Sequence, residues 1–339
     1  MTTALTLVFL TALLSLEGLR QEARGALAVD TFQRAAMSAE ARIAFVALTE
    51  PFGPRSIHIG GRRSDPETGT PAPLPDGQSM SDAQTQEFLI DGTPYSIRTN
   101  DGSGRLLMVS VQDEAGLVNL NFADAQTATA AFERAGADPL LAATLADQLH
   151  DYVSSNGARS LRGADSAEYE RAGAAPPPGR SLETWAEIRG LLALRGDNSI
   201  DFEHLREYST VGPSTAKNVN TAAVATLMTW FGISEGAAEE IVESRALQPI
   251  NNVSALAISL PSDEVGQYYF PSGDLRLTFT DPSISSLYRS EFQLTPDDPN
   301  RPFWIQDSEL LRLPTKMRSP DDVSHLPQIP DIAYVPTAG

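Results

Sequence analysis

The sequence predicts an α+β protein: a long N-terminal helix, and an antiparallel sheet split by an inserted helical domain. Three observations predict it. No proline occurs from Thr2 to Glu50, and apolar residues recur there at helical spacing. Alternating, strand-like segments lie before Asp113 and after Pro261, whereas the stretch between them is mainly helical in pattern. The phrase Asp113-Glu-Ala-Gly-Leu-Val-Asn-Leu-Asn-Phe-Ala123 is echoed by Lys217-Asn-Val-Asn-Thr-Ala222. Each copy precedes a helical run, a Gly and a second helical run, so one helix-pair unit is duplicated about 100 residues apart.

The N-terminal helix has two characters. Ala4 to Leu16 carries no charge, and a helix of that length spans about 20 Å, less than the roughly 30 Å hydrocarbon core of a bilayer. Beyond it, Leu19, Ala23, Leu27, Phe32, Ala35, Ala39, Ile43, Val46 and Ala47 form a stripe at spacings near three and four. A helix apolar all round at one end and amphipathic at the other suits lipid at the first end and a soluble domain at the second. Two alternatives are a signal peptide cleaved near Ala26-Leu27-Ala28 and a buried helix of a soluble protein. No Lys or Arg precedes the apolar run, which argues against the signal peptide.

Pro51 to Ser81 has loop composition. Glu87–Ile90, Tyr95–Arg98 and Arg105–Gln112 are predicted strands, with Asp91-Gly92 and Asp101-Gly102 as hairpin turns. Asp124 to Tyr152 is helical, restarting at Asp138-Pro139 as N-cap and first helical residue. Leu182 to Leu194 is predicted as a helix capped by Ser181, after the loop-rich stretch Val153–Arg180. Thr221–Trp230 and Glu235–Arg245 make the second helix pair, with Ser234 as cap. Asp274–Thr280, Leu287–Leu294 and Arg301–Leu311 return to strands, and the Pro- and Asp-rich tail is expected to be disordered. The resulting division is 1–50 helix, 51–118 first part of the β domain, 119–262 inserted helical domain, 263–313 remaining strands and 314–339 tail.

Composition removes several functions. Among 339 residues there is no cysteine, which excludes disulfides, thiolate catalysis and Cys-based metal sites. The net charge of −19 opposes the phosphate backbone of nucleic acid. The hairpin Gly232-Ile-Ser-Glu-Gly236 has no basic residue, and Glu239, Glu240 and Glu243 follow it. His58, His150, His204 and His325 form no His-x-x-x-His pair, and no Gly-x-Ser-x-Gly elbow occurs, so catalysis is not expected. Asn119, Asn121, Asn218 and Asn220 are expected to serve as turn and cap residues.

Residues 1 to 311 resemble the K-type minor pseudopilin of bacterial type II secretion, also called general secretion pathway protein K. The resemblance is carried by Asp113-Glu-Ala-Gly-Leu-Val-Asn-Leu-Asn121, by Gly136-Ala-Asp-Pro139 with Leu145-Ala-Asp-Gln-Leu149, and by Asn218-Val-Asn-Thr-Ala222 with Ile241-Val-Glu-Ser-Arg245. It implies a pilin-like fold, with the long helix lying on the antiparallel sheet. It also implies a non-enzymatic role at the tip of a periplasmic pseudopilus, in complex with I- and J-type minor pseudopilins. The protein would be held in the inner membrane by a single pass, with the bulk of the chain periplasmic. Leu5, Leu7, Val8, Phe9, Leu10, Leu13, Leu14 and Leu16 would enter the membrane and later pack on neighbouring helices. The family's basic leader ending in Gly is not found before Thr2. The family also implies a Ca²⁺ site, for which Asp151, Asp165 and Glu168 are the candidate ligands, although relatives tend to be richer in Asp there. The alternative function is an envelope-anchored or secreted protein-binding module with no part in secretion.

Overall fold

The computed structural model describes residues 2–59, 86–99, 105–155, 159–252, 269–281, 283–312 and 326–329, with side chains from residue 15 onward. The N-terminal helix α1 runs unbroken over Thr2–Thr49. Its second half packs on a five-stranded antiparallel sheet of order β3-β4-β7-β8-β9, built from Asp91–Arg98, Leu106–Asp113, Asp274–Thr280, Ser286–Leu294 and Phe303–Arg312. The fold is therefore the predicted α+β arrangement of a long helix on a sheet split by a helical insertion.

Alternation sets the sheet's two faces. Val109 pairs with Phe279 and Val111 with Leu277, and all four are fully buried beneath α1. They share one core with Phe32, Ala36, Ile43 and Val46 of the helix. Alanines at 35, 36, 39, 44 and 47 are buried on the helix face, and their small side chains let the backbone approach the sheet. The opposite sheet face is polar at its centre, carrying Ser110, Gln112, Arg276, Thr278, Arg289 and Glu291.

Strands β4 and β7 are adjacent in the sheet although 160 residues separate Asp113 from Asp274. The insertion thus leaves and re-enters at one end of a strand pair. It contains α2 (Ala125–Arg134), α3 (Pro139–Val153), α4 (Ser166–Arg171), α5 (Phe202–Tyr208), α6 (Val224–Phe231) and α7 (Glu235–Leu247). Two two-residue strands, β5 (Val118–Asn119) and β6 (Ser209–Thr210), pair in parallel inside it. The caps follow the sequence reading. Asp138 accepts from the amides of Leu140 and Leu141, and Ser234 from that of Ala237.

Four expectations change. Residues 182–194 form no α-helix but two 3-10 turns, Trp185–Gly190 and Leu192–Leu194, capped at Thr184 rather than Ser181. The apolar residues Leu182, Trp185, Ile188, Leu191 and Leu194 recur every three positions and are all buried, a period that matches 3-10 winding. Ser56–Ile59, within the expected loop, forms β1 and pairs with β2 (Gln86–Leu89). Asp91-Gly92 is not a hairpin turn: Gly92, at φ 84, lies in the register shift between Asp91 and Pro94, while the chain passes from β2 to the larger sheet. Finally, part of the expected disordered tail is ordered. The Ser96 amide donates to Pro327 O and the Ile329 amide to Ser96 O, and Ile329 is buried in the sheet core. The expected turn at Asp101-Gly102 lies outside the described residues.

Candidate functional site

The described side chains at the start of α1 stand away from the rest of the protein. Residues 15–27 are all exposed, and the buried stripe begins at Phe32. Leu16, Leu19 and Leu27 are 45%, 63% and 61% exposed. Burying a Leu-sized side chain contributes about 1.5–3 kcal/mol, so these three are available to stabilise an assembly. The side chains of Leu5, Leu7, Val8, Phe9, Leu10, Leu13 and Leu14 lie outside the described residues. Among the described residues no helix is long and apolar enough to cross a membrane. The anchored half carries one buried acid, Glu40, which accepts from Tyr288 Oη at 3.0 Å and from Ser290 Oγ.

The phrase beginning at Asp113 is the junction between sheet and insertion. Asp113 is fully buried at the end of β4. Its carboxylate accepts from the amides of Ala115 and Ser272, and from Ser272 Oγ, Thr221 Oγ1 and Asn218 Nδ2, at 2.8–3.2 Å. Burial pushes its pKa up, while the donors from Ser272, Thr221 and Asn218 pull it back. One side chain therefore ties together both crossings of the insertion and the second copy of the duplicated unit. Gly116 follows because nothing larger fits: a Cβ there would sit 2.6 Å from Thr221 O.

The two Asn-x-Asn phrases perform the same work. In the first, the Asn121 amide donates to Asn119 Oδ1, and in the second the Asn220 amide donates to Asn218 Oδ1. Each second Asn then pairs with a distant backbone in both directions. Asn121 Nδ2 donates to Leu182 O at 3.0 Å, and Leu182 N donates to Asn121 Oδ1 at 2.7 Å. Asn220 Nδ2 donates to Ile250 O at 2.9 Å, and Ile250 N donates to Asn220 Oδ1 at 2.7 Å. The side-chain amides thus act as one rung of a strand ladder. The duplication seen in the sequence extends to individual hydrogen bonds, and the expected turn role is joined by a long-range clamp.

Behind the junction, three buried arginines meet five acids on the polar sheet face. Arg276 Nε is 2.9 Å from Glu291 Oε1, and its other nitrogens donate to Arg206 O and Ser209 O. Arg206 contacts Glu291, Asp307 and Glu309, and Arg289 contacts Glu203 and Glu309. Glu114, between Arg276 and Thr210 Oγ1, is pushed up to about 7, by burial first and by Glu291 second. Burial alone would raise Glu291 too, but Arg276, Arg206 and Arg289 together hold it below its ordinary value. Arg206 and Arg276 also lie over the Trp185 ring, which belongs to the insertion. These charges pair with one another across the sheet–insertion boundary.

The expected calcium residues lie between α3 and α4. Asp151, near the end of α3, is occupied by the amide and hydroxyl of Ser160. Asp165 and Glu168 form a reciprocal capping box on α4, and Glu168 also pairs with Arg159 at 2.8 Å. Asp151, Arg159 and Asp165 line one cavity of about 370 Å³. Among the described residues no three of His, Asp or Glu are grouped so as to hold a metal. Calcium takes about six to eight oxygens, and here the carboxylates face internal donors and a guanidinium. The residues as placed do not fit the ion. The histidines sit apart on β1, α3 and α5, with His325 outside the described residues.

No protein-family model matches the chain, and no curated protein matches it. Among solved structures, it is similar to a chain in the crystal structure of the GspK-GspI-GspJ complex from the type 2 secretion system of enterotoxigenic Escherichia coli. The two are 15% identical, with a TM-score of 0.48, over 87% of this chain and 99% of that one.

Proposed function

We propose that this protein is a K-type minor pseudopilin of a bacterial type II secretion system, which initiates or caps the pseudopilus together with I- and J-type minor pseudopilins. The observation that carries this reading is the divided helix: the second half of α1 is buried on the sheet, while the first presents Leu16, Leu19 and Leu27 to solvent. A helix buried at one end in its own domain, with leucines exposed on the described part of the other, is suited to bundling with equivalent helices of other subunits. The motifs at residues 113–121 and 218–222 add the likeness in sequence. The role is one of assembly, with no chemical step. Before assembly, Leu5 to Leu16 would hold the chain in the inner membrane, with the remainder in the periplasm. The insertion, emerging from the β4–β7 end, adds bulk that would obstruct further subunits above it.

Coexpression with the I- and J-type pseudopilins of the same genome tests this. A stable ternary complex on size exclusion is the expected result. A monomer indifferent to both partners would refute it.

A further inference from the structure

We propose that Arg159 serves as the built-in cation of the α3–α4 loop, so that this loop is closed by the chain's own charges and does not call for a divalent ion. Five contacts carry the inference. Arg159 Nη2 lies 2.8 Å from Glu168 Oε1, placing a permanent positive charge among the acids of the cavity. The opposite oxygen of Glu168 accepts from the Asp165 amide at 3.1 Å, so both oxygens are engaged. Asp165 Oδ1 in turn accepts from the Glu168 amide at 3.0 Å. Asp151 accepts from Ser160 N at 2.9 Å and Ser160 Oγ at 2.8 Å, which pins the residue next to Arg159.

The surrounding backbone is built around the same contacts. Gly163 packs directly on the Asp151 carboxylate: a Cβ at Gly163 would fall 1.7 Å from Asp151 Oδ2. The Arg162 amide donates to Asp147 Oδ2 at 2.9 Å, one turn earlier on α3. The loop is therefore tied to α3 at Asp147 and Asp151 and to α4 at Glu168. A divalent ion would have to displace Arg159 and the Ser160 donors before it found enough oxygens. The inference is independent of the pseudopilus reading, since partner binding could fail or succeed without changing it.

Hydrogen exchange on the full chain tests it, with calcium chloride or EDTA as the only variable, in wild type, Arg159→Gln and Glu168→Gln. Wild-type amides from Ser160 to Ala164 should exchange at the same rate in calcium and in chelator. Both variants should exchange there about two- to fivefold faster, the range expected for a partly exposed ion pair. The rest of the protein should be unchanged, which separates loop opening from misfolding. Slower exchange of wild type in calcium would overturn the proposal, as would an Arg159→Gln loop that exchanges at the wild-type rate.

Discussion

Replacing Asp113 with Ala removes the acceptor for five donors at once. The loss is not uniform. Thr221 Oγ1 also reaches Asn218 O at 3.3 Å, Ser272 Oγ reaches Asp274 O at 3.3 Å, and Asn218 Nδ2 keeps Pro54 O at 2.8 Å. Among the described residues the amides of Ala115 and Ser272 have no such second acceptor and are stranded. A buried unsatisfied donor costs about 1–3 kcal/mol, so the two together cost roughly 2–6 kcal/mol. Relief from burying a carboxylate offsets part of this, leaving a net loss of about 1–4 kcal/mol, a sizeable share of typical protein stability. Urea unfolding monitored by tryptophan fluorescence measures it, because Trp185 and Trp230 lie in the insertion and Trp304 in β9. Asn218→Ala, which removes one donor rather than the acceptor, should cost clearly less. A loss below about 1 kcal/mol for Asp113→Ala would refute the view of this carboxylate as the knot between sheet and insertion.

Three further outcomes follow from the same geometry. Asn121→Ala and Asn220→Ala each remove a paired amide rung, and each should destabilise by about 2–4 kcal/mol in urea unfolding; a large effect for one and none for the other would contradict their equivalence. Gly116→Ala forces a Cβ towards Thr221 O and should cost about 1–3 kcal/mol, read as a lowered unfolding midpoint; an unchanged midpoint would show that the junction can widen. Glu114, ordinarily at 4.5 and held at about 7, favours its protonated form in the folded state, so its contribution to stability is full below about 4.5 and is lost as pH rises to about 7. That displacement corresponds to at most on the order of 3 kcal/mol. Asp274, raised to about 6 by burial and Asp113, acts in the same direction, whereas the depressed Glu291 loses stability on acidification. Stability measured from pH 5 to 7.5 should therefore fall with rising pH, and Glu114→Gln should flatten the slope; an equally steep slope in the variant would contradict it.

Much of the fold was legible because its signals are local. The proline-free amphipathic run of α1, the alternation of Asp274–Thr280, and the caps at Asp138 and Ser234 each depend on neighbours within a few residues. The 3-10 segment is read from sequence as an α-helix although its apolar residues recur every three positions, whereas an α-helical face mixes threes with fours. Strand β1 escaped because it is four residues long and pairs with residues 86–89, far from it in sequence. The ordered contact of Ile329 escaped because a single buried residue in a Pro-rich tail carries no periodicity. The role of Asp113 could not be inferred from spacing, since its partners lie up to 159 residues away. The calcium residues show the same limit. The sequence brought three acids close together along the chain, but only the fold shows that Ser160 engages Asp151, Arg159 engages Glu168, and the Glu168 amide engages Asp165.

The absence of cysteine makes one experiment unusually direct. A single cysteine at Leu19, on the exposed half of α1, or at Ala35, on the face buried against the sheet, can be cross-linked by a short bis-maleimide to cysteines on the N-terminal helices of the I- and J-type pseudopilins in living cells. The pseudopilus account predicts that Leu19→Cys gives a specific cross-link to a partner helix and that Ala35→Cys gives none. Absence of any cross-link from Leu19→Cys, with the protein present at normal levels beside both partners, would contradict it.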